Sequence, residues 1–387
     1  MNELKKDYKI CSRGVWDTTV PGITFDDNGV SNYAVMFDKL CEAYPRGEKG
    51  KRDWASIVNK IKEKDRKKKY DCIIGVSGGT DSSYLLHLAK NEYGLRPLAV
   101  NLDNGWSSEI AVHNIKKITR ALDIDLETYV IDYEEVKDLL RCYMFASLPW
   151  IDIPTDLAIK SVLFKVANRE GIKFILRAND FRSEGTQPRE WSYGDGKQLI
   201  FLHNKFGKVR LKTFPNYTLS HLFRYALISK IKNYFPFYYL DYNKQSAQEF
   251  LKVNYGWEYY GGHHHENIFT KFAISIWQPI KFGIDKRKIS FSAQILSGEI
   301  SREQALSELQ KAPYDPEKMD DDINYVLKKL GLNKHEYKQL MSAPNKSFED
   351  YPSYYPLIKK FMKTGEFILK RFYPYKPMSY FQLEMRK

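Results

Sequence analysis

Between residues 71 and 176 the apolar positions switch repeatedly between two periods. Short apolar runs at 72–76, 97–102, 126–131 and 173–176 read as strands, and the stretches between them carry apolar residues three and four apart, as one face of a helix requires. The helices expected are one beginning near Tyr84, then 108–122, 133–147 and 156–170. Strands alternating with helices of this length predict an α/β fold with a doubly wound parallel sheet. Ligands of such a sheet gather at the carboxyl ends of its strands. The polar residues there are the run from Ser77 to Ser83, Asp103-Asn104-Gly105-Trp106, Asp132, and Asn179-Asp180 leading to Ser183-Glu184-Gly185-Thr186.

Outside this core the pattern changes. Residues 1–35 have little periodicity and crowd turn formers, with Asp27-Asn28-Gly29 suited to closing a hairpin. A basic helix is expected over 54–69, its Lys-rich end being a solvated face. Beyond about residue 190 the alternation weakens and aromatics become dense (Tyr217, Phe223, Tyr225, Tyr234, Phe235, Phe237, Tyr238, Tyr239), which reads as a mainly helical part packed on aromatic side chains rather than a base-stacking platform. Residues 301–312 read as a helix capped by Ser301. The tail, 352–387, mixes Tyr, Phe, Lys and Arg and could make a peripheral contact with a membrane surface or a partner. The expected organisation is an N-terminal segment over 1–50, an α/β nucleotide domain over 51–190 and a substrate- or partner-binding region over 191–387.

Composition narrows the class. A hydrophobic content of 43% in 387 residues supports a folded globule with a sizeable core. No apolar run approaches the roughly 18 residues that a membrane span needs, and no apolar segment follows the charged N-terminus, so a cytoplasmic protein is expected. The four cysteines are scattered, which fits a reducing compartment, and Cys72 reads as a small core residue. A net charge of +13 implies attraction to nucleotides, nucleic acid or an anionic surface without choosing among them.

The chemistry starts at Ser77-Gly78-Gly79-Thr80-Asp81-Ser82-Ser83, directly after the first strand. Glycines let the backbone turn sharply and approach a ligand, the hydroxyls offer donors, and the first N–H groups of the following helix attract an anion. The loop has neither the Walker pattern nor GxGxxG. It resembles the SGGxDS loop of the PP-loop ATP pyrophosphatases, which split ATP between its α and β phosphates.

Four segments in order resemble the N-acetyl sugar amidotransferase family of the WbpG and PseA type. They are Cys11-Ser12-Arg13-Gly14 with Asn28-Gly29-Val30-Ser31-Asn32-Tyr33-Ala34; the loop; Asn179 to Gly185; and Tyr259-Tyr260-Gly261-Gly262-His263-His264-His265-Glu266-Asn267 with Lys281-Phe282-Gly283-Ile284-Asp285-Lys286-Arg287. One departure stands out. The family's first segment resembles a CxxC…CxxC zinc knuckle, but here Gly14, Ser31 and Ala34 replace three of the cysteines, and one thiolate does not hold a structural zinc.

The resemblance implies conversion of an acetamido group on a nucleotide-linked sugar into an acetamidino group, in surface polysaccharide or nonulosonic acid synthesis. ATP adenylates the amide oxygen, and ammonia then expels AMP. The implied cradle for pyrophosphate is Ser77, Gly78, Gly79, Thr80, Ser82 and Ser83, with Asp81 orienting the loop or holding Mg2+. Lys286 and Arg287 are the implied phosphate partners, Lys281 a lesser one, and Asp103 is placed for ribose or Mg2+. Asn179 and Glu184 would face the amide or the ammonia, and His264 and Glu266 would handle protons. Zinc at His263-His264-His265 is not expected, since adjacent side chains diverge. No glutaminase motif is visible, so a glutaminase subunit and a cyclase-like, ammonia-channelling subunit are the implied partners, with nucleic acid not expected. Two rivals stay open: a PP-loop enzyme modifying tRNA, as thiolase or lysidine-type ligase, and a non-catalytic ATP-binding subunit of a sugar-modifying complex.

Overall fold

The computed structural model describes residues 8–64, 66–262 and 265–361. Five strands form one parallel sheet: β1 (Cys72–Gly75), β2 (Pro97–Asp103), β3 (Leu126–Val130), β4 (Phe174–Leu176) and β5 (Lys232–Tyr234), in the order β3-β2-β1-β4-β5. This is the doubly wound α/β fold expected, and it places the end of β1 at the centre of the sheet's carboxyl edge. The helices in chain order begin with α1 (Asn32–Ala43), α2 (Gly47–Lys64), α3 (Thr80–His87), α4 (Glu109–Ala121), α5 (Tyr133–Phe145), α6 (Ile153–Arg169) and α7 (Phe181–Glu184). Burial of Ile73, Leu98, Val100 and Ile175 against Val162, Phe164 and Val166 covers one sheet face with α6. Cys72, Ile74, Ala99 and Leu176 face the other, with Leu85, Leu86 and Ile115. Burial on both faces explains the near-continuous apolar strands.

Two elements differ from the expectation. The fifth strand comes from beyond residue 190, and its three residues pair with β4. Phe237, Leu251 and Trp257 then join the core under α3 and α4. Helix α1 begins inside the segment read as turns, with Ser31 accepting the Ala34 N–H as its N-cap. The aromatics past residue 190 are largely core: Phe237 is fully buried and stacks on Tyr242 at 4.0 Å, and Tyr225, Tyr234 and Tyr238 are buried.

At the knuckle-like segment, two turns pack together. Ile10 bridges Asp17, Phe25 bridges Ser31, and the Ser12 N–H reaches the Gly29 carbonyl at 2.9 Å. The Ser31 N–H donates to Cys11 Sγ at 3.3 Å, and Arg302 donates to the Gly14 and Cys11 carbonyls. Trp16, Tyr33, Phe37 and Leu40 pack on Ile289 and Ala293. Hydrogen bonds and a shared core with the C-terminal part hold this segment in place.

Among the described residues no helix is long and apolar enough to cross a membrane. The basic aromatic tail lies mostly outside the described residues.

Candidate active site

The β1 strand ends at Gly75, and after Val76 the chain turns through Ser77-Gly78-Gly79 into α3. Gly78 has φ +79°, and a Cβ there would lie 2.2 Å from the Ala111 carbonyl oxygen of α4, so the turn demands glycine. Its carbonyl is fixed by the Trp257 indole N–H at 3.0 Å and the Asn114 amide at 3.3 Å. Gly79 is the N-cap of α3 with no side-chain cap, and its own N–H reaches Ser77 Oγ at 3.3 Å. Ser77, Gly79, Asp81 and Ser82 line a cavity of about 510 Å³. Thr80 and Ser83 are buried behind it, with the Gln248 amide 3.2 Å from Thr80 Oγ1.

The loop does not stand alone. Tyr260 Oη accepts the Thr80 N–H at 3.3 Å, and Ser77 Oγ donates to Glu266 Oε1 at 3.4 Å. Burial, then Glu266, pushes the Tyr260 phenol well above its ordinary range, so it stays neutral. Asp81 accepts from Tyr242 through Oδ1 and pairs with Lys244 through Oδ2 at 3.0 Å. Burial pulls the Lys244 ammonium down, but Asp81 and then Glu184 outweigh it and hold the group charged. Lys244 and Tyr242, about 160 residues from the loop in sequence, carry no motif that reasoning from sequence could have read.

Across the cavity, Asn179 donates to Glu184 at 3.4 Å, and both residues line it, at the start of the β4 loop and the end of α7. Lys286 lines it too, its ammonium 3.6 Å above the Trp150 ring. Burial lowers Lys286 to about 8, against the pull of Asp156, Asp152 and Glu184. Three further residues on one face of α6 and its N-cap, Asp152, Asp156 and Lys160, complete the wall with Arg177. Their spacing of four places them on one helical face, a polar stripe over 152–160 that starts before the helix expected at 156–170.

Several expected residues sit elsewhere. Arg287 grips Asp285 through two nitrogens and donates to the Glu308 and Lys311 carbonyls, outside the cavity. Lys281 caps the carbonyls of Leu340, Met341 and Ala343. Asp103 turns back to accept the Gly105 N–H at 2.8 Å, and Asn101 and Asn104 line the cavity at that strand end. His264 and His263 lie outside the described residues.

A parallel α/β sheet with a glycine-rich, anion-adapted loop at its central strand end defines a phosphate-binding class of protein. Residues 266–364 match the family model described as LPS biosynthesis protein WbpG-like, C-terminal domain. Glu266 and Lys286 of the cavity lie within that stretch. Among curated proteins, the uncharacterized protein MJ1599 of Methanocaldococcus jannaschii is 34% identical over 92 residues, 24% of this chain and 32% of that protein. The chain thus spans about a third of the length of this relative.

Among solved structures, NMN synthetase from Francisella tularensis aligns at 14% identity over 78% of this chain and 97% of its own, with TM-score 0.36. NH3-dependent NAD synthetase from Campylobacter jejuni aligns at 11% over 81% and 98%, with TM-score 0.30. The U34-tRNA thiolase NcsA from Methanococcus maripaludis aligns at 13% over 72% and 82%, with TM-score 0.31. At these TM-scores none of the three carries an argument about function.

Proposed function

We propose that this protein is an ATP-dependent, AMP-forming amidotransferase that converts the acetamido group of a nucleotide-linked sugar into an acetamidino group during surface polysaccharide synthesis. The observation that carries the reading is the contact of Ser77 with Glu266. It joins the pyrophosphatase-like loop to the first residue of the WbpG-like stretch in one cavity.

The division of labour follows from the walls. Ser77, Gly79 and Ser82 offer hydroxyls and N–H groups to the β and γ phosphates, and Asp81 with Lys244 keeps that loop rigid. Lys286, charged below about pH 8, faces the phosphates across the cavity and neutralises charge as pyrophosphate leaves. The Asn179 amide and the Glu184 carboxylate are placed for the sugar's amide. Positioning and charge compensation are the protein's main contributions to such a displacement.

Mg2+ fits this donor set: Glu266 beside the loop would hold it, and Asp81, both oxygens engaged by Tyr242 and Lys244, would orient the loop that carries the phosphates. When bound, Mg2+ would offset phosphate charge. Ammonia would come from a partner glutaminase through a cyclase-like, channel-forming subunit.

The test is incubation of the full chain with ATP, Mg2+, ammonium chloride and a panel of UDP- and CMP-linked 2-acetamido sugars. Sugar-dependent AMP with equimolar pyrophosphate, and a product with oxygen exchanged for imino nitrogen, supports the reading. AMP formation that depends on tRNA instead of sugar overturns it.

A further inference from the structure

One end of the cavity is walled by α6 and its N-cap. Asp152, the N-cap residue of α6, is 2% exposed and lines this end. Its Oδ2 accepts the Thr270 hydroxyl at 2.5 Å. Its Oδ1 is buried and accepts no hydrogen bond of ordinary geometry from a described residue. A buried carboxylate oxygen left without a donor is costly, and in a native structure such an atom takes up a water, an ion or a reacting group. The groups around it come from three elements: Asp156 and Thr155 of α6, Thr270 of helix Ile268–Phe272, and Lys286 just before helix Arg287–Leu296. Asp156 is engaged by the Trp150 indole N–H at 2.7 Å, and Lys286 rests on the ring of the same tryptophan. Thr155 is itself held by the Asn104 amide at 2.9 Å. Asp152 thus lies in the cavity wall with one carboxylate oxygen, Oδ1, that has only the Thr155 hydroxyl beside it, the oxygen of that hydroxyl being held by Asn104.

We propose that Asp152 is the proton acceptor for the incoming nitrogen nucleophile, at a subsite for ammonia on the α6 side of the cavity. The inference rests on the amidotransferase reading. In the adenylated imidate the amide carbon bears the AMP oxygen and a protonated, doubly bonded nitrogen. The ammonia lone pair forms the new C–N bond while the C=N π pair moves onto the sugar-side nitrogen, which leaves an NH3+ group on a tetrahedral carbon. Asp152 Oδ1 takes one proton from that group. The nitrogen lone pair thus freed forms the new C=N bond as the C–O bond breaks, and its electron pair departs with AMP. The product is an amidinium cation, and the Asp156 carboxylate beside it suits a positive product.

Burial first, and Asp156 second, raise Asp152 to about 7, against the hydrogen bonds of Thr155 and Thr270 and the charge of Lys286. A base poised near neutral pH is effective in general base catalysis.

The experiment compares wild type with Asp152→Asn in three assays, using whichever UDP- or CMP-linked 2-acetamido sugar supports turnover. They are amidine formation with ammonium chloride, sugar-dependent exchange of labelled pyrophosphate into ATP, and product formation with hydroxylamine, a less basic nucleophile whose adduct loses its proton readily. The expected result is that Asp152→Asn loses ammonium-dependent product by about a hundredfold or more, that pyrophosphate exchange falls far less, and that hydroxylamine restores product. Asp156→Asn, which keeps Asp152, is expected to respond more mildly in the ammonium assay. Ammonium-dependent turnover within a few-fold of wild type in Asp152→Asn, or exchange lost to the same degree as product, overturns the assignment. Absence of any sugar-dependent exchange in the wild type would instead count against the amidotransferase reading itself.

Discussion

Lys244 Nζ lies 3.0 Å from Asp81 Oδ2, with Tyr242 on the other carboxylate oxygen. Both partners of the ion pair are mostly buried, with side chains 21% and 18% exposed. The second residue of α3 is thereby tied to a helix more than 160 residues away, Lys244–Tyr255, which packs on α3. Breaking a buried pair from one side leaves a charge without compensation. Asp81→Ala is therefore expected to abolish AMP formation and to cost about 3 kcal/mol of stability in urea unfolding. Asp81→Asn combined with Lys244→Met should recover most of the stability without the activity, and equal instability of both variants would contradict this account of the pair.

Gly78 tests the loop by shape. Its positive φ and the Ala111 carbonyl 2.2 Å from a would-be Cβ leave no room for alanine. Gly78→Ala is expected to lose pyrophosphate release and to lower stability by about 1–3 kcal/mol, the usual scale for a misfitted backbone position. Normal ATP turnover by this variant would mean that the loop is not held as described.

The pH dependence follows from two buried groups. Asp152, ordinarily near 3.8, stands at about 7 in the folded protein. Between those values the folded state holds the extra proton, so Asp152 makes stability fall as pH rises from about 4 to about 7. Lys286, ordinarily near 10.5, stands at about 8. Between about 8 and about 10.5 the unfolded chain holds the extra proton, so this lysine makes stability rise with pH. Urea midpoints measured across both windows should show the first slope disappear in Asp152→Asn. The proposed roles require Asp152 ionised and Lys286 protonated, which predicts an optimum between about pH 7 and 8.

Arg287 and Lys286, adjacent in sequence, separate a cation that holds the fold from one that lines the cavity. It binds Asp285 and two backbone carbonyls away from the cavity, whereas the adjacent Lys286 faces it. Arg287→Lys is expected to leave KM for ATP unchanged and to lower stability by about 1 kcal/mol, the scale of lost hydrogen bonds. Lys286→Met should raise that KM or lower kcat at least tenfold. An ATP-specific defect in Arg287→Lys would reverse the two assignments.

Local constraints were the ones the sequence displayed. Ser77 to Ser83 was legible because a strand, a forced turn and a helix start are dictated by adjacent residues, and β1, β2 and β4 because burial makes them largely apolar, whereas the edge strand β3 alternates exposed and half-buried residues. The Ser301 cap was legible for the same reason, and it forms a reciprocal capping box with Gln304. The strand Lys232–Tyr234 is too short to show a period, and α1 was hidden because Ser31, its N-cap, was read with the knuckle. The pairing of neighbouring Lys286 and Arg287 as phosphate partners misses a tertiary fact: helix Arg287–Leu296 sends one toward Trp150 and the other toward Asp285. Lys244, Tyr242 and Asp152 acquire meaning only from what the fold brings beside them.

Oxygen transfer tests the central claim most directly. The 2-acetamido sugar that supports turnover, labelled with 18O in its acetyl carbonyl, is incubated with the protein, ATP, Mg2+ and ammonium chloride, and the AMP is analysed by mass spectrometry. Activation of the amide by adenylation predicts that the label appears in the AMP phosphate in step with the amidino product. Unlabelled AMP, or ADP with phosphate in its place, would contradict it.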